Sequence, residues 1–169
     1  MRLNERGREL DRSAIVETYW PQINRAARGY ENRPSLCEEL TQDMAFALWR
    51  ALGHFDGKCQ LNTYVYRVIH NVAVDHIRKH SRQKEDELSE AHTLSTDSPE
   101  SNIQKYQQQQ QLTRAIHRLP LSLRQVMLLK LEGVDTAQIS DVLGISDANV
   151  GIRLHRAKAQ LAEQLKENS

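Results

Sequence analysis

The stretch VDTAQISDVLGISDANVGIRLHRAKAQLAEQL, residues Val134 to Leu165, predicts two helices separated by a break at Gly144. Glycine just past a helix end supplies the positive φ that ends many helices. Ser146 is a favourable N-cap for the second helix, and Asp147 suits its positive end. Ala137 is small enough for a close helix approach, and Ile145 would fill the corner. Apolar residues at steps of three and four predict the buried face of the second helix: Val150, Leu154, Ala157, Leu161 and Leu165.

The opposite side of this second helix is polar and basic. It carries Asn149, Ile152, Arg153, His155, Arg156 and Lys158. A short helix, a glycine turn and a second helix with a basic outer face form the helix-turn-helix that fits a DNA major groove. The alternative is an ordinary helical hairpin whose charged side chains face solvent. The compact set of turn glycine, apolar corner residue and cap favours DNA reading.

Composition bounds the class of protein. The 169 residues contain few aromatic, glycine or proline residues, which favours helix throughout. No apolar run is long enough for a membrane span, and the polar N-terminus does not resemble a signal peptide. Cys37 and Cys59 lack ligand spacing, and the histidines are scattered singly. We therefore expect a cytoplasmic protein with no metal, no cofactor and no catalytic residues.

The N-terminal half predicts three helices. The first runs from about Ser13 to Tyr30 with a kink or restart at Pro21, and the second from about Ser35 to Leu52. The third runs from about Asn62 to Arg82. In the first helix, the residues predicted to face the protein core are Ile15, Tyr19, Trp20, Ile23 and Ala27. In the second helix, they are Leu36, Leu40, Met44, Leu48 and Leu52.

Two faces in this half are candidates for binding. The outer side of the second helix carries Glu39, Gln42, Asp43, Phe46 and Trp49. These aromatics either pack on the first helix or, if exposed, mark a partner surface, because aromatic anchors are enriched in interfaces. On the third helix, a polar stripe contains Tyr64, Arg67, Asn71, Asp75, Arg78 and Arg82. Such a stripe suits nucleic acid, or is simply a solvated face.

A segment without apolar periodicity divides the chain. Between Lys84 and Glu100 lie six acidic residues and one lysine. We predict an all-α protein of two helical domains, residues 1–82 and 103–169, joined by a flexible acidic linker over 83–102. The second domain would open with a helix-compatible stretch from about Gln107 to Leu119 and a helix over Leu123–Leu131, before the helix-turn-helix.

Three ordered segments carry a resemblance to a known family. They are CEELTQDMAFALWRALGHFDGK (Cys37–Lys58), LNTYVYRVIHNVAVDHIRK (Leu61–Lys79) and RLPLSLRQVMLLKLEGVDTAQISDVLGISDANVGIRLHRAKAQL (Arg118–Leu161). The chain resembles the extracytoplasmic-function sigma factors, which give RNA polymerase its promoter specificity. It departs from the common family pattern at Gly151, where a basic residue is frequent, and at Tyr64, where tryptophan is usual.

The resemblance implies a role for each segment. The first would bind core RNA polymerase at the β′ clamp helices, through the outer residues of the second helix given above. The minus-ten promoter element would be held by Lys58, Gln60, Asn62, Tyr66, Arg67, Asn71 and Arg78. The helix-turn-helix would read the minus-thirty-five element through the outer residues of its second helix. The resemblance also implies contact with the polymerase β flap and admits an anti-sigma factor as partner.

Two rival functions remain open from sequence. One is a transcription regulator that binds operators as a dimer through the same helix-turn-helix. The other is an interaction protein that sequesters polymerase and needs no DNA-reading face. A hydrolase or transferase is disfavoured, because the sequence has no P-loop, nucleophile–base pair or metal cluster.

Overall fold

The computed structural model describes residues 11–81 and 103–168, and every regular element in these residues is a helix. In chain order they are α1 (Arg12–Thr18), α2 (Trp20–Tyr30), α3 (Pro34–Leu52), α4 (Leu61–Ser81), α5 (Ile103–His117), α6 (Leu121–Leu131), α7 (Thr136–Leu143) and α8 (Asp147–Glu167). The all-α prediction is confirmed. The predicted linker and Arg82 lie outside the described residues.

The break predicted near Pro21 is a restart of the helix. Tyr19 ends α1 and caps α2, and Pro21 lies in the first turn of α2, where its missing N–H costs no hydrogen bond. Trp20, predicted to be buried, is instead 43% exposed. Trp20 is the first residue of α2, next to the exposed Pro21, whereas Ile23 and Ala27 further along the same helix are fully buried.

Helices α3 and α4 form the centre of the N-terminal unit. The predicted α3 residues Leu40, Met44, Leu48 and Leu52 are buried, whereas Leu36 is only half-buried. On α4, Val65, Ile69 and Ala73 are fully buried against them. Steps of three and four residues thus identified most of the buried face of α3 correctly.

Polar groups that the sequence did not mark lie inside this unit. His70 of α4 is fully buried, and its Nδ1 lies 2.5 Å from the hydroxyl of Tyr30. Burial lowers the pKa of His70 to about 4 and raises that of Tyr30. Both groups are therefore neutral near pH 7, with the tyrosine donating to the imidazole.

The helix-turn-helix forms as its local sequence predicts. Gly144 ends α7 at φ 68°, and the Ser146 hydroxyl accepts from the Asn149 N–H at 3.1 Å. Asp135 and Gln138 add a capping box at the start of α7. Ala137, expected between the helices, is exposed instead. Its neighbours Ile139 and Val142 occupy that position, because they lie on the face of α7 that turns to the core.

The two units pack against each other through α2 and α4 of the first unit and α5, α6 and α7 of the second. The same apolar cluster contains Ile23 and Ile69 from the first unit and Val126 and Leu129 from the second. Gly29 makes the closest approach: a Cβ at this position would lie 2.5 Å from a Leu128 methyl carbon. The units therefore share a core.

Candidate partner and nucleic-acid interfaces

The outer face of α3 is exposed along its length. Glu39, Gln42 and Asp43 are exposed, Phe46 is 61% exposed and Trp49 is 39% exposed. Their spacing of three and four residues places them on one stripe opposite the buried leucines. Phe46 therefore does not pack on the first helix, whereas Trp49 is partly exposed and also contacts Arg12 of α1.

Each aromatic of this stripe has an arginine beside it. The Arg12 guanidinium carbon of α1 lies 4.1 Å from the Trp49 ring centre, and that of Arg50 lies 5.7 Å from the Phe46 ring centre. Such cation–π contacts hold exposed rings in place at about 0.5–1 kcal/mol each. The stripe thus presents two oriented aromatic rings bordered by carboxylates, a surface suited to a protein partner.

The loop between α3 and α4 projects basic and polar groups. Asp56 accepts from the Lys58 backbone N–H at 3.1 Å, and this bond lowers the pKa of Asp56. The side chain of Lys58 extends into solvent, 86% exposed. Tyr64, the residue in place of tryptophan, donates to the Ala51 carbonyl at 2.7 Å and packs on Phe55, 4.9 Å between ring centres. Tyr64 therefore anchors this loop.

The residues predicted for the minus-ten element divide into two groups. Asn71 and Arg78 are exposed on α4, and Asn62 is half-buried, accepting from the Tyr19 hydroxyl at 3.2 Å. Tyr66 is buried at 4% exposure, and burial is the main cause that raises its pKa. The side chains of Gln60, Tyr66 and Arg67 all contact the C-terminal unit.

The outer face of α8 is accessible. Ile152 is 52% exposed, and His155, Arg156 and Lys158 are exposed beside it. Asn149 is half-buried and accepts from the Arg153 Nε at 3.2 Å, which orients the arginine along the helix. Gly151 opens on free space, with nothing within 4 Å of an added Cβ. The outer face of α8 thus combines basic side chains with one apolar side chain, which suits contacts in a DNA groove.

Sequence reasoning missed the polar residues that join the two units. Arg25 and Glu132 form a bidentate ion pair, with N–O distances of 2.6 and 2.9 Å. Arg124 donates to the carbonyls of His117, Leu119 and Tyr30, with its buried charge held by these oxygens. Arg124 and Glu132 lie in the third segment quoted above, but the bonds that join the units, Arg25 to Glu132 and Arg124 to Tyr30, span 107 and 94 positions. No sequence signal marks them.

Other chemistries find no support in the part of the chain that the structure describes. Across residues 11–81 and 103–168, no three His, Cys, Asp or Glu side chains cluster as metal ligands. Within the same ranges, no helix is long and apolar enough to cross a bilayer.

Two family models match this chain in the order of its two units. Sigma-70 region 2 matches residues 15–83, and sigma-70 region 4 matches residues 109–161. The extracytoplasmic-function (ECF) RNA polymerase sigma factor SigW of Bacillus subtilis is 23% identical, over 90% of this chain and 88% of the relative. The ECF sigma-E factor of Haemophilus influenzae is also 23% identical, over 96% and 93% of the two chains.

Two solved structures share the fold. CnrH, in complex with the cytosolic domain of CnrY, aligns with a TM-score of 0.69 at 20% identity, over 98% of this chain and 92% of that one. The sigma factor RpoE of Bartonella quintana, crystallised with the anti-sigma factor NepR, aligns with a TM-score of 0.72 at 17% identity. That alignment covers 91% of this chain and 96% of RpoE.

Proposed function

We propose a residue-level assignment of the binding surfaces of this chain, which belongs to the ECF group of the sigma-70 family. The protein is a sigma factor: it binds core RNA polymerase and directs promoter-specific initiation of transcription, and is not itself an enzyme. The observation that carries the assignment is the exposed α3 stripe in the region 2 unit, combined with an exposed basic face on α8 in the region 4 unit.

The α3 stripe is the proposed binding surface for the polymerase β′ clamp helices. Its carboxylates Glu39 and Asp43 provide charge, and its rings Phe46 and Trp49 provide apolar area that becomes buried in the complex. Each ring has an arginine beside it within the chain, but a large part of Phe46 and Trp49 stays exposed to solvent. A protein partner that covers these rings would explain why the chain keeps this apolar area in contact with water.

Promoter DNA is divided between the two units in this proposal. The minus-ten element is assigned to Lys58, Gln60, Asn71 and Arg78, which are exposed, and to Asn62, Tyr66 and Arg67, which are half-buried or buried in this structure. The face of α8 enters the major groove of the minus-thirty-five element. The functional domains follow the predicted bounds, 1–82 and 103–169, and the polymerase β flap contacts the second.

The cellular setting is also part of the proposal. A factor that works on polymerase and promoter acts in the bacterial cytoplasm, consistent with the absence of a spanning helix in the described residues. An anti-sigma factor is a proposed partner, supported by the two fold relatives, whose structures contain CnrY and NepR.

Binding of core polymerase tests the α3 assignment. Asp43→Arg reverses one charge at the centre of an exposed stripe, so we expect it to reduce co-purification with core polymerase by about tenfold or more. Folding should be unaffected, because Asp43 is exposed. Glu163→Arg on α8 makes the same charge change at an exposed position outside every proposed surface. Loss of binding in both variants, or in neither, would contradict the α3 assignment.

A gel shift with duplex promoter DNA separates the sigma factor from a dimeric operator-binding regulator. The protein alone should bind duplex DNA weakly, because only a few basic groups of α8 reach phosphates. It should gain specificity with core polymerase, measured by run-off transcription. Tight, sequence-specific binding by a dimer of the free chain would favour the regulator.

A further inference from the structure

A groove of about 490 Å³ lies between α2 and α4 of the first unit and α5 and α6 of the second. Its volume falls in the range of small-molecule sites, about 300–1,000 Å³. The apolar wall of the groove comes from four aliphatic side chains, Leu112, Ile116, Leu128 and Leu131. Leu131 leaves 56% of its surface exposed to solvent. Because helices of both units line it, neither unit forms this groove alone.

A buried histidine borders this apolar groove. His70 of α4 is 2% exposed, and it lines the groove. Its Nδ1 accepts from the Tyr30 hydroxyl, and the other ring nitrogen, Nε2, makes no hydrogen bond within residues 11–81 and 103–168. A neutral imidazole that accepts at one nitrogen carries its proton on the other, so Nε2–H is a donor. The groove therefore contains a buried donor that lacks an acceptor, an arrangement that costs free energy until an acceptor binds.

One unbalanced positive charge lines the same groove. Arg25 is paired with Glu132, with N–O distances of 2.6 and 2.9 Å, so its charge is already balanced. Arg28 also lines the groove, and its exposed side chain forms no ion pair in the part of the chain that the structure describes. An arginine and an N–H donor together are suited to a carboxylate, which accepts hydrogen bonds and carries the opposite charge.

We propose that this groove is a binding site for a small amphipathic carboxylate, of the chemical class of a medium-chain fatty acid. Its carboxylate accepts from His70 Nε2–H and faces Arg28, and its alkyl chain lies along the aliphatic wall. Burial of an ionised carboxylate is costly unless it is hydrogen-bonded and paired, and these two groups provide both interactions. Burial of the alkyl chain supplies the hydrophobic part of the affinity. The site uses none of the residues assigned to polymerase or to the promoter.

Isothermal titration calorimetry of the full-length chain with sodium decanoate tests the site. The titration is kept below the concentration at which decanoate forms micelles. We expect one decanoate to bind per chain. Decylamine has the same alkyl chain but a positive head group, so it should bind about tenfold more weakly or less, because it meets Arg28 with a like charge and offers no carboxylate to His70.

Two pairs of variants locate the bound molecule. Thr113 is exposed on α5 and lines the groove, so Thr113→Trp fills the space of the alkyl chain and should weaken decanoate binding by about tenfold or more. Gln111→Trp adds the same side chain at an exposed α5 position outside the groove and should leave binding unchanged. Arg28→Gln removes the unpaired charge and should weaken binding by about two- to fivefold. Its control is Arg114→Gln, which removes an exposed charge of α5 outside the groove.

Nitrogen NMR reports on His70 without a substitution. The His70 signals can be assigned through contact with the Tyr30 ring, 5.3 Å away between ring centres. Saturating decanoate should shift the His70 Nε2 resonance, and an unchanged resonance overturns the role of His70. No decanoate binding, equal affinity in wild type and Thr113→Trp, or equal binding of decylamine overturns the proposal. These measurements contain neither polymerase nor DNA, so their outcome is independent of the sigma assignment.

Discussion

Gly144 and Gly151 of the helix-turn-helix should have opposite effects on stability when they are replaced by alanine. Gly144 ends α7, and Gly151 lies within α8. Gly144 adopts φ 68°, whereas Gly151 is helical, and nothing lies within 4 Å of an added Cβ at either position. Gly151→Ala should therefore stabilise the chain by about 0.5–1 kcal/mol through helix propensity. Gly144→Ala should destabilise it by about 1 kcal/mol, because the left-handed conformation strains a side chain. Urea unfolding of both variants measures the change in the free energy of unfolding. Changes of the same sign in the two variants would contradict the conformational explanation.

Arg156 is the residue at which base reading and phosphate contact can be separated. It is exposed on α8, away from the buried face of that helix. If it reads a base edge, Arg156→Ala should cost about 1–3 kcal/mol and relax preference at one promoter position. If it meets a phosphate, the loss should be uniform across sequences and the salt slope should fall by about one. Transcription from a set of single-base promoter variants, with polymerase present, distinguishes the two outcomes. No effect at all would remove Arg156 from the interface.

At the scale of helices, a buried carboxylate joins three of them. Glu31, between α2 and α3, accepts from the Arg33 Nε at 2.9 Å and lies 2.9 Å from the His76 Nε2 of α4. Burial acts to raise the pKa of Glu31, but the hydrogen bonds from Arg33 and His76 outweigh it and lower that pKa to about 2. The ionised carboxylate is therefore part of the folded arrangement of α2, α3 and α4.

This depressed pKa predicts an acid-dependent stability. A group whose folded pKa lies below its unfolded value of 4.5 stabilises the fold above that pH and loses the contribution as pH falls towards 2. Glu31→Gln should lower the free energy of unfolding by about 2–3 kcal/mol at pH 7, and the difference from wild type should shrink between pH 4.5 and 2. Urea denaturation across that range measures it. A difference that stays constant with pH would rule out ionisation of Glu31 as its source.

At the scale of the molecule, the shared core predicts how the chain unfolds. Both tryptophans, Trp20 and Trp49, lie in the N-terminal unit, whereas helices of both units contribute to circular dichroism. Because the apolar cluster runs through both units, thermal transitions by fluorescence and by circular dichroism should coincide. In Glu132→Arg the two transitions should separate. Separate transitions already in the wild type would show that the units fold independently.

The sequence by itself determined what depends on near neighbours along the chain. Helix ends follow from local chemistry: the Gly144 turn, the Ser146 cap and the restart at Pro21 each form from residues within a few positions. The buried faces of α3 and α8 follow from steps of three and four. The ordered motifs predicted the sigma-70 family, and the matches to its regions 2 and 4 confirmed that prediction.

Only the tertiary structure decided which surfaces face each other. The ion pair of Arg25 and Glu132 joins residues 107 positions apart, and the bond from Tyr66 to Glu132 spans 66. Helical periodicity tells which face of a helix is apolar, but the partner of a polar residue depends on how distant helices pack. For this reason the exposure of Phe46, the burial of His70 and the covering of Tyr66 were decided by packing between helices.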